Sequence, residues 1–348
     1  MHLCERSLTP ATVFSEGQAL LQRRQVHAAI ECFNRAEEAG FDQNECSAAR
    51  WNCWMLLGQF ERAWQESDVI AQSGAPDPYR VWSGEPWAGK RVLIRGLHGL
   101  GDTIQFIRYA PLLARSAAAV NAQVHPQIFS LLEGVRGIDR LYTWGAADDA
   151  DPLPWDVAME VTELPRAFRS TISSIPCSVP YISIPARCRA WAKRIVGERR
   201  GFRIGLAWQT GIWNPARTIP LEEFDPLFKS ANHEFYSLQK GAAVSHLSHR
   251  YGVRDIEAHA GSIQDTAALV LQMDLMITAD TMTAHLAGAL GRPVWILLPF
   301  AADWRWMVAR QDSPWYPTAA LFRQSRAGEW RDVIQKVQRS LQSLRLRR

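Results

Sequence analysis

Residues 275–298 constrain the fold more than any other part of the chain. They contain an apolar segment at 275–279, a threonine-rich turn, a helix pattern that stops at Gly291, and a second apolar segment at 294–298. Strand, turn, helix and strand in this order form a βαβ unit, whose two strands run parallel. The sequence therefore predicts an α/β protein built on a parallel sheet.

The turn between the first strand and the helix is a candidate anion site. Backbone N–H groups at a helix start have no partner within the helix, and open α/β sheets bind ligands at the carboxyl ends of their strands. The alternative is that Asp280 or Thr281 only caps the helix. The residues that we expect to contact an anionic ligand here are Asp280, Thr281, Met282, Thr283 and His285.

The length and composition are typical of a globular protein with several domains. A chain of 348 residues predicts two or three domains, because a single core rarely grows that large. Hydrophobic residues make up 47% of the chain and charged residues 21%. The net charge of +4 suits anionic ligands, but the basic residues are dispersed apart from the tail at 339–348, which disfavours nucleic-acid binding.

The cysteines and the apolar segments indicate the compartment. The six cysteines form no CxxC pair and no metal-ligand spacing with histidine, so we expect reduced thiols and no bound metal. Residues 1–6 lack the apolar core of a signal peptide, and the apolar run at 294–298 is too short to cross a bilayer. These features predict a cytoplasmic protein without a transmembrane segment.

Residues 14–75 show a period of thirty-four residues, which is typical of the helix hairpins of tetratricopeptide repeats (TPR). Arg24 and Gly58 fall at the two expected inter-helix turns. The alternative is a plain four-helix cap. Such repeats usually hold a protein partner and do no chemistry, so we assign residues 1–78 to a TPR-like part that helps to bind an acceptor. The matched positions are Gly17/Trp51, Leu20/Trp54, Val26/Phe60, Ala29/Ala63, Phe33/Ser67 and Ala36/Ile70.

Residues 79–186 predict a first Rossmann-like half. A strand at 91–95 runs into a glycine-rich turn and a helix at 104–115. The turn is not GxGxxG and no acidic residue follows at the dinucleotide distance, so we expect no nicotinamide cofactor. Asp102 either caps the helix or accepts a proton from an attacking hydroxyl. Further strands are expected at 120–124, 139–144 and 156–160, helices at 126–134 and 164–170, and an acidic loop at 148–151.

Residues 187–348 predict a second Rossmann-like half with a C-terminal helix. Thr210, Arg217, Gln239 and Lys240 follow strand ends and should face the same crevice as the Thr281 turn. Arg217, a permanent cation with a planar fork, is the natural diphosphate partner. We expect a basic helix at 187–200 and a second helix from Leu221. The sheet is expected to contain strands at 202–208 and 234–238, and to be completed by 253–256, 265–272 and the βαβ unit. Two such halves outline a two-domain nucleotide-sugar enzyme.

Four stretches resemble known sequences. Residues 99–109, GLGDTIQFIRY, resemble a stretch of bacterial TPR-containing glycosyltransferases, and 280–293, DTMTAHLAGALGRP, resemble a motif that these share with the heptosyltransferase family. Residues 299–306 and 313–317 are similar to the tail signature of the same group. The resemblance covers almost the whole chain, including the repeats.

The resemblance implies a GT-B fold of two Rossmann-like domains, with the acceptor in the first half and the nucleotide-sugar in the second. It implies an inverting transfer without metal or cofactor, with Asp102 as general base and Asp280 and Thr281 at the donor. Arg217 stands where the family usually carries a lysine that steadies the leaving diphosphate. The acceptor-side candidates in the glycine turn are His98, Gly99, Gly101 and Gln105.

One departure from the family leaves alternatives open. Related TPR proteins commonly carry Glu-Gln before Gly-Leu-Gly-Asp, whereas this chain has Leu97-His98. The change could alter the choice of acceptor, or mark a non-catalytic TPR adaptor with a decayed transferase body. A sugar-nucleotide epimerase is a third reading, disfavoured because partner-binding repeats suit a macromolecular acceptor. The sequence does not identify the donor sugar, the nucleobase or the acceptor.

Overall fold

The computed structural model describes residues 9–74, 81–144, 154–211, 214–229, 233–241 and 251–345. The predicted acidic loop at 148–151 lies outside these residues. None of the described helices is long and apolar enough to cross a membrane. The chain forms two compact units: a smaller one made of Met1–Pro78, Arg166–Ile175 and Ala301–Arg310, and a larger one made of Tyr79–Pro165, Pro176–Phe300 and Gln311–Arg348.

The smaller unit contains two helix pairs that repeat. Its helices are α1 (Pro10–Gln22), α2 (Val26–Glu38), α3 (Gln43–Leu56) and α4 (Phe60–Gln72). Both ends of α4 lie thirty-four residues after the matching ends of α2. The turns between paired helices also match, because Arg24 and Gly58 both have positive φ, 59° and 74°. The expected period is therefore present in the backbone itself.

Close packing and a buried ion-pair network hold the four helices together. Gly17 lies against the Phe33 ring, so that a Cβ at Gly17 would come within 2.6 Å of it. Arg50, only 8% exposed, donates from Nε and Nη2 to the two carboxylate oxygens of Glu66 at 2.7 and 3.1 Å, and from Nη1 to Glu37 at 2.5 Å. One guanidinium therefore joins α2, α3 and α4.

Two later segments of the chain complete the smaller unit. Residues 301–310 pack on α3, and residues 166–175 pack near α4. The helices of this unit are thus partly covered by the protein's own chain. The contacts include the rings of Trp51 and Trp304 with centres 5.5 Å apart, Val308 N–H on Leu56 O at 3.0 Å, and Trp64 Nε1–H on Ser170 O at 2.8 Å.

The first sheet of the larger unit has four parallel strands in the order β3-β2-β1-β4. The predicted strands are confirmed within one or two residues. The helix expected at 104–115 instead begins at Leu100, because Asp102 Oδ2 accepts the Gly99 N–H at 3.1 Å and caps it. The elements are β1 (Arg91–Arg95), α5 (Leu100–Phe106), α6 (Ala110–Leu113), β2 (Ala119–Val124), α7 (Pro126–Leu132), β3 (Arg140–Thr143), β4 (Val157–Glu160) and α8 (Leu164–Ala167).

The second sheet has six parallel strands in the order β10-β9-β8-β5-β6-β7. The assignment of 265–272 to the sheet is wrong, because these residues are mostly helical, and β10 was not predicted. The helix expected from Leu221 starts as a 3-10 turn. The elements are α9 (Ala186–Val196), β5 (Phe202–Ala207), α10 (Asp225–Phe228), β6 (His233–Ser237), β7 (Arg254–Asp255), α11 (Ile263–Val270), β8 (Leu275–Ala279), α12 (Met282–Ala289), β9 (Val294–Leu298), β10 (Ala319–Arg323) and α13 (Trp330–Arg345).

Candidate functional site

The starts of helices α5 and α12 meet in the larger unit. Helix α5 follows β1 of the first sheet and α12 follows β8 of the second, and the two helices pack on each other. A Cβ at Gly101 would lie 2.8 Å from Cδ2 of His285 and 3.5 Å from Cα of Met282, so only glycine fits there. The packing thus joins the two sequence motifs at the carboxyl ends of two parallel sheets, where α/β proteins bind ligands.

Asp102 lies in the first turn of α5 and is half-buried. Its Oδ2 accepts the backbone N–H of Gly99 at 3.1 Å, so the carboxylate serves as a helix cap. The cap also fixes where the carboxylate points relative to the turn. The structure therefore agrees with the structural reading of Asp102, while its role as a base stays a prediction.

Glu160 is a buried carboxylate at the end of β4 that the sequence analysis did not single out. It accepts the Leu97 N–H at 3.1 Å and both the N–H and the hydroxyl of Thr162. The Nδ1 atom of His98 lies 2.9 Å from Glu160 Oε1, and the His98 side chain is 32% exposed. Glu160 therefore shapes the start of the glycine turn, with His98 next to it. The signal in the sequence was a glutamate that ends the apolar strand at 157–159.

The four acceptor-side candidates separate into two groups. His98 and Gly99 keep accessible surface. Gly101 lies against the His285 ring but keeps part of its surface, and Gln105 is fully buried, with its carbonyl oxygen accepting Arg108 Nε–H at 2.6 Å. Gln105 thus supports the packing beneath the turn and has no exposed surface for an acceptor, whereas acceptor contact by the other three stays a prediction.

The start of α12 holds donors and a nearby cation. Thr281 Oγ1 accepts the Thr283 N–H at 3.2 Å and caps the helix, and Met282 beside it is half-buried. Asp280 is 3% exposed, and Arg217 Nη1 lies 3.2 Å from its carbonyl oxygen and 3.4 Å from its Oδ2. Arg217 and this turn therefore come together as predicted.

The predicted residues at the ends of β5 and β6 mostly organise their own loops. Gln239 Oε1 accepts the N–H groups of Trp208 at 3.1 Å and Gln209 at 2.8 Å, which ties the two strand ends together. The Thr210 hydroxyl donates to a carbonyl of the following loop at 3.0 Å. Lys240 is exposed. Across the described ranges, no three His, Cys, Asp or Glu side chains are grouped as a metal site.

Glu257 is a second buried carboxyl that the sequence analysis missed. It follows β7, which pairs with β6 at the same edge of the sheet as Lys240. Its Oε1 accepts the Thr266 hydroxyl at 2.7 Å, and in the described part of the chain its Oε2 has no hydrogen-bond partner. Burial raises the pKa of Glu257 to about 7, partly opposed by the hydrogen bond from Thr266 and the charge of Lys240.

His285 belongs to the buried face of α12. It is 6% exposed, and its Nδ1 lies 3.0 Å from the hydroxyl of Tyr316. Burial raises the pKa of Tyr316 well above that of an ordinary tyrosine. The edge of the His285 ring that carries Cδ2 and Nε2 faces Gly101, so this ring lies between the starts of α5 and α12.

Comparisons with known proteins agree with this architecture. No protein-family profile matches the chain. Its α/β part has the fold of solved glycosyltransferases, a GT-B-like arrangement of two parallel sheets. One is the glycosyl transferase family 9 protein of Veillonella parvula, with a TM-score of 0.56 and 13% identity, covering 76% of this chain and 99% of that one. Another is ADP-heptose LPS heptosyltransferase II of E. coli, with a TM-score of 0.53 and 13% identity, covering 74% and 99%.

A curated relative matches over more of the sequence. Protein FlbA of Caulobacter vibrioides is 24% identical over 341 residues, which cover 84% of this chain and 54% of that protein. The chain therefore spans about half the length of this relative. The heptosyltransferase-like fold is thus confirmed. The sequence identities are too low to assign an activity to this chain.

Proposed function

We propose that the protein is a glycosyltransferase that moves a sugar from a nucleotide-sugar to a protein or glycan acceptor. The observation that supports this most is the packing of the α5 start against the α12 start, with Gly101 directly under His285. It brings a half that carries a carboxylate against a half that carries cations and hydrogen-bond donors. Group transfer needs both kinds of chemistry in one place.

The second half suits the donor. Departure of a nucleoside diphosphate builds negative charge, which Arg217, Lys240 and the N–H groups of Thr281–Thr283 would stabilise. Thr210 and Gln239 would hold the loops around it, with Asp280 keeping Arg217 in place. Because these groups can balance the diphosphate charge, we propose a metal-independent transfer with no cofactor.

The first half suits the acceptor. Asp102 would take the proton of the attacking hydroxyl while the new C–O bond forms and the bond to the diphosphate breaks. Attack from the face opposite the leaving group inverts the anomeric carbon. His98, which has Nδ1 2.9 Å from Glu160 Oε1 and a partly exposed side chain, would contact the acceptor. The thirty-four-residue helix pairs are TPR-like in this proposal and give a macromolecular acceptor a further surface.

The second candidate is a non-catalytic adaptor with a decayed transferase body. It is favoured by Leu97-His98 in the glycine turn, where His98 is engaged with the buried Glu160. In that case the site would bind a nucleotide-sugar weakly or not at all, and would not turn it over. In either case we propose a cytoplasmic location, since the described cysteines are unpaired and suit a reducing compartment.

A thermal-shift panel of nucleoside diphosphates and nucleotide-sugars tests the proposal. A ligand at about 100 times its Kd stabilises a protein by roughly 2.7 kcal/mol, which gives a clear rise in Tm. We expect at least one of these ligands to raise the Tm and Arg217→Ala to reduce that rise clearly. Release of nucleoside diphosphate from the stabilising sugar then separates the candidates. Binding without release, even with cell extract as a source of acceptors, supports the adaptor, and no shift by any ligand contradicts the transferase.

A further inference from the structure

A cleft of about 580 Å³ lies at the edge of the second sheet that is opposite to the candidate site. It is bordered by the end of α9, by the residues that lead into β5 and by the start of β6. All strands of a parallel sheet start at one edge, whereas Arg217, Lys240 and Asp280 follow strand ends at the other. The five residues of β6 separate these edges by roughly 13 Å. The cleft is therefore distinct from the donor-side residues.

Three arginines border the cleft, namely Arg194, Arg200 and Arg254. Arg254 closes the end of α9, because its Nη1 donates to Val196 O at 2.7 Å and its Nη2 to Ile195 O at 3.1 Å. The partial negative charge of this helix end offsets part of the Arg254 charge. Arg194 and Arg200 are exposed, and their side chains form no hydrogen bond or ion pair in the described part of the chain. Two cations at the cleft thus have no partner from the described fold.

The carboxylates at the cleft only partly balance these cations. Glu234 is engaged within the fold, because it accepts the backbone N–H of Arg200 at 2.7 Å. Its charge is paired with Arg203, whose Nε lies 3.4 Å from Glu234 Oε2 and whose side chain is 6% exposed. Glu198 is the other carboxylate that borders the cleft within the described ranges. Arg194 and Arg200 therefore outnumber Glu198, so the cleft favours an anionic ligand.

Another part of the cleft wall is aromatic. The centre of the Phe228 ring lies 4.9 Å from that of Tyr251 and 5.2 Å from that of Phe235, and all three residues border the cleft. Phe228 and Tyr251 are only half-buried, so part of each side chain stays accessible. Cavities of about 300–1,000 Å³ that combine an apolar wall with a few charged groups are typical of small-molecule sites. The size and the lining of this cleft therefore suit a small ligand.

We propose that this cleft is a second ligand site, which binds a small molecule carrying a phosphate group. A phosphate ester has a charge of about −1.5 to −2 at neutral pH, so it matches two arginines better than a carboxylate does. The guanidinium groups of Arg194 and Arg200 bind the phosphate oxygens, and the rings of Phe228 and Tyr251 contact the rest of the ligand. Because the donor-side residues lie at the other edge of the sheet, the inference does not depend on the proposed function.

Calorimetry with AMP, inorganic phosphate and adenosine tests the site. We expect AMP to bind most tightly, phosphate to bind more weakly and adenosine not to bind. Arg194→Ala and Arg200→Ala should each weaken AMP binding about 10- to 100-fold, the usual effect of losing a hydrogen bond to a charged group. Arg199→Ala is the matched control, because Arg199 is equally exposed and adjacent to Arg200 but pairs with Asp274 at 2.7 Å. It should change the AMP affinity less than about twofold.

Arg217→Ala separates the cleft from the candidate site. AMP binding that persists in Arg217→Ala and weakens in Arg200→Ala supports the inference, and slower amide hydrogen exchange at 194–200 and 251–254 on adding AMP would locate the ligand. Equal affinities for AMP and inorganic phosphate would also support the site and identify the free ion as its ligand. The inference is overturned if neither anion binds, if adenosine binds as tightly as AMP, or if Arg200→Ala and Arg199→Ala bind AMP equally well.

Discussion

The carboxyl ends of the two parallel sheets share a backbone plan and differ in chemistry. In each, a helix begins directly after a strand, capped by Asp102 in α5 and by Thr281 in α12. The first edge carries the carboxylates Asp102 and Glu160, and the second carries the cations Arg217 and Lys240. The fold thus supplies two similar platforms that differ in the side chains they carry, and a difference in function between them would come from those side chains.

Each edge also has a buried carboxyl, and the two carboxyls differ in their hydrogen-bond partners. Glu160 receives two backbone N–H groups and a hydroxyl, and has His98 beside it. Glu257 receives one hydroxyl, from Thr266, and burial raises its pKa to about 7. Glu160 therefore accepts several hydrogen bonds within the fold, whereas Glu257 is an acid whose protonation changes near neutral pH.

The largest effect that would break the comparison is expected from Asp102→Asn. If Asp102 is the base of the first edge, transfer should fall about 10²- to 10⁴-fold, with nucleoside diphosphate affinity unchanged. Asparagine can still accept the Gly99 N–H, so folding should be retained. The measurement is nucleoside diphosphate released per enzyme in the presence of acceptor.

Asp139→Asn is the control for that change, because Asp139 Oδ2 also accepts a backbone N–H, from Val120 at 2.7 Å, but caps no helix at the site. It should transfer at the wild-type rate. Equal rates of transfer for Asp102→Asn and the wild type would contradict the assignment of Asp102 as the base.

Arg217→Ala should lose about 10- to 100-fold in nucleoside diphosphate affinity, since a hydrogen bond to a charged group contributes about 1.5–3 kcal/mol. Arg217→Lys keeps the charge without the planar fork of the guanidinium, so its affinity should lie between those of the wild type and Arg217→Ala. Calorimetry measures both. Arg199→Ala is the control, because Arg199 pairs with Asp274 at 2.7 Å before β5, at the opposite end of that strand. An affinity for Arg217→Ala equal to that of the control would place the anion elsewhere.

Gly101→Ala tests whether the two edges are locked together. Its Cβ would lie 2.8 Å from the His285 ring and 3.5 Å from the backbone of Met282, so we expect a loss of about 1–3 kcal/mol in the free energy of unfolding. Gly99→Ala, two residues earlier, would meet only an oxygen of Asp102 at 3.1 Å and should be milder. Urea denaturation compares the two. A larger loss for Gly99→Ala would contradict the packing of α5 on α12.

We expect a smaller effect of Glu257 on the free energy of unfolding, and this effect depends on pH. A carboxyl whose pKa rises from 4.5 to about 7 on folding binds more protons in the folded state between those values, so stability falls as pH rises through that window. The slope is at most about 1.4 kcal/mol per pH unit. Glu257→Gln should flatten it, as urea denaturation at about pH 5 and about pH 8 would show. An unchanged slope would mean that Glu257 is ionised throughout.

The elements that sequence reasoning found are those with local signals. The unit β8-α12-β9 was predicted because its apolar strands, capping threonine and stop at Gly291 all lie within 275–298. The assignment of 265–272 to the sheet failed because a short apolar run has no decisive period. Strand β10, with the sequence Ala-Ala-Leu-Phe-Arg, was missed because so short an apolar run has no decisive period either.

The candidate site also contains residues that local sequence signals placed and residues that they did not. Arg217 was placed beside Asp280 because both follow strand ends, and strand ends of one parallel sheet share an edge. The burial of Arg108 was missed because it depends on contacts between distant parts of the chain; Arg108 donates to the carbonyl of Trp315, which is 207 positions away. A usable signal was present, since an arginine within the apolar run IQFIRYAPLL must either reach water or be compensated inside.

The discontinuity of the smaller unit limits how evolution or an engineer could exchange it. A cut after Pro78 would remove the helices but leave behind 166–175 and 301–310, the two segments that pack on them. The excised repeats would lose the covers of Trp51 and Trp64. The remainder would keep the apolar side chains of Trp306 and Met307 without their native surroundings. Transplanting the repeats onto another transferase would therefore require three grafts, not one.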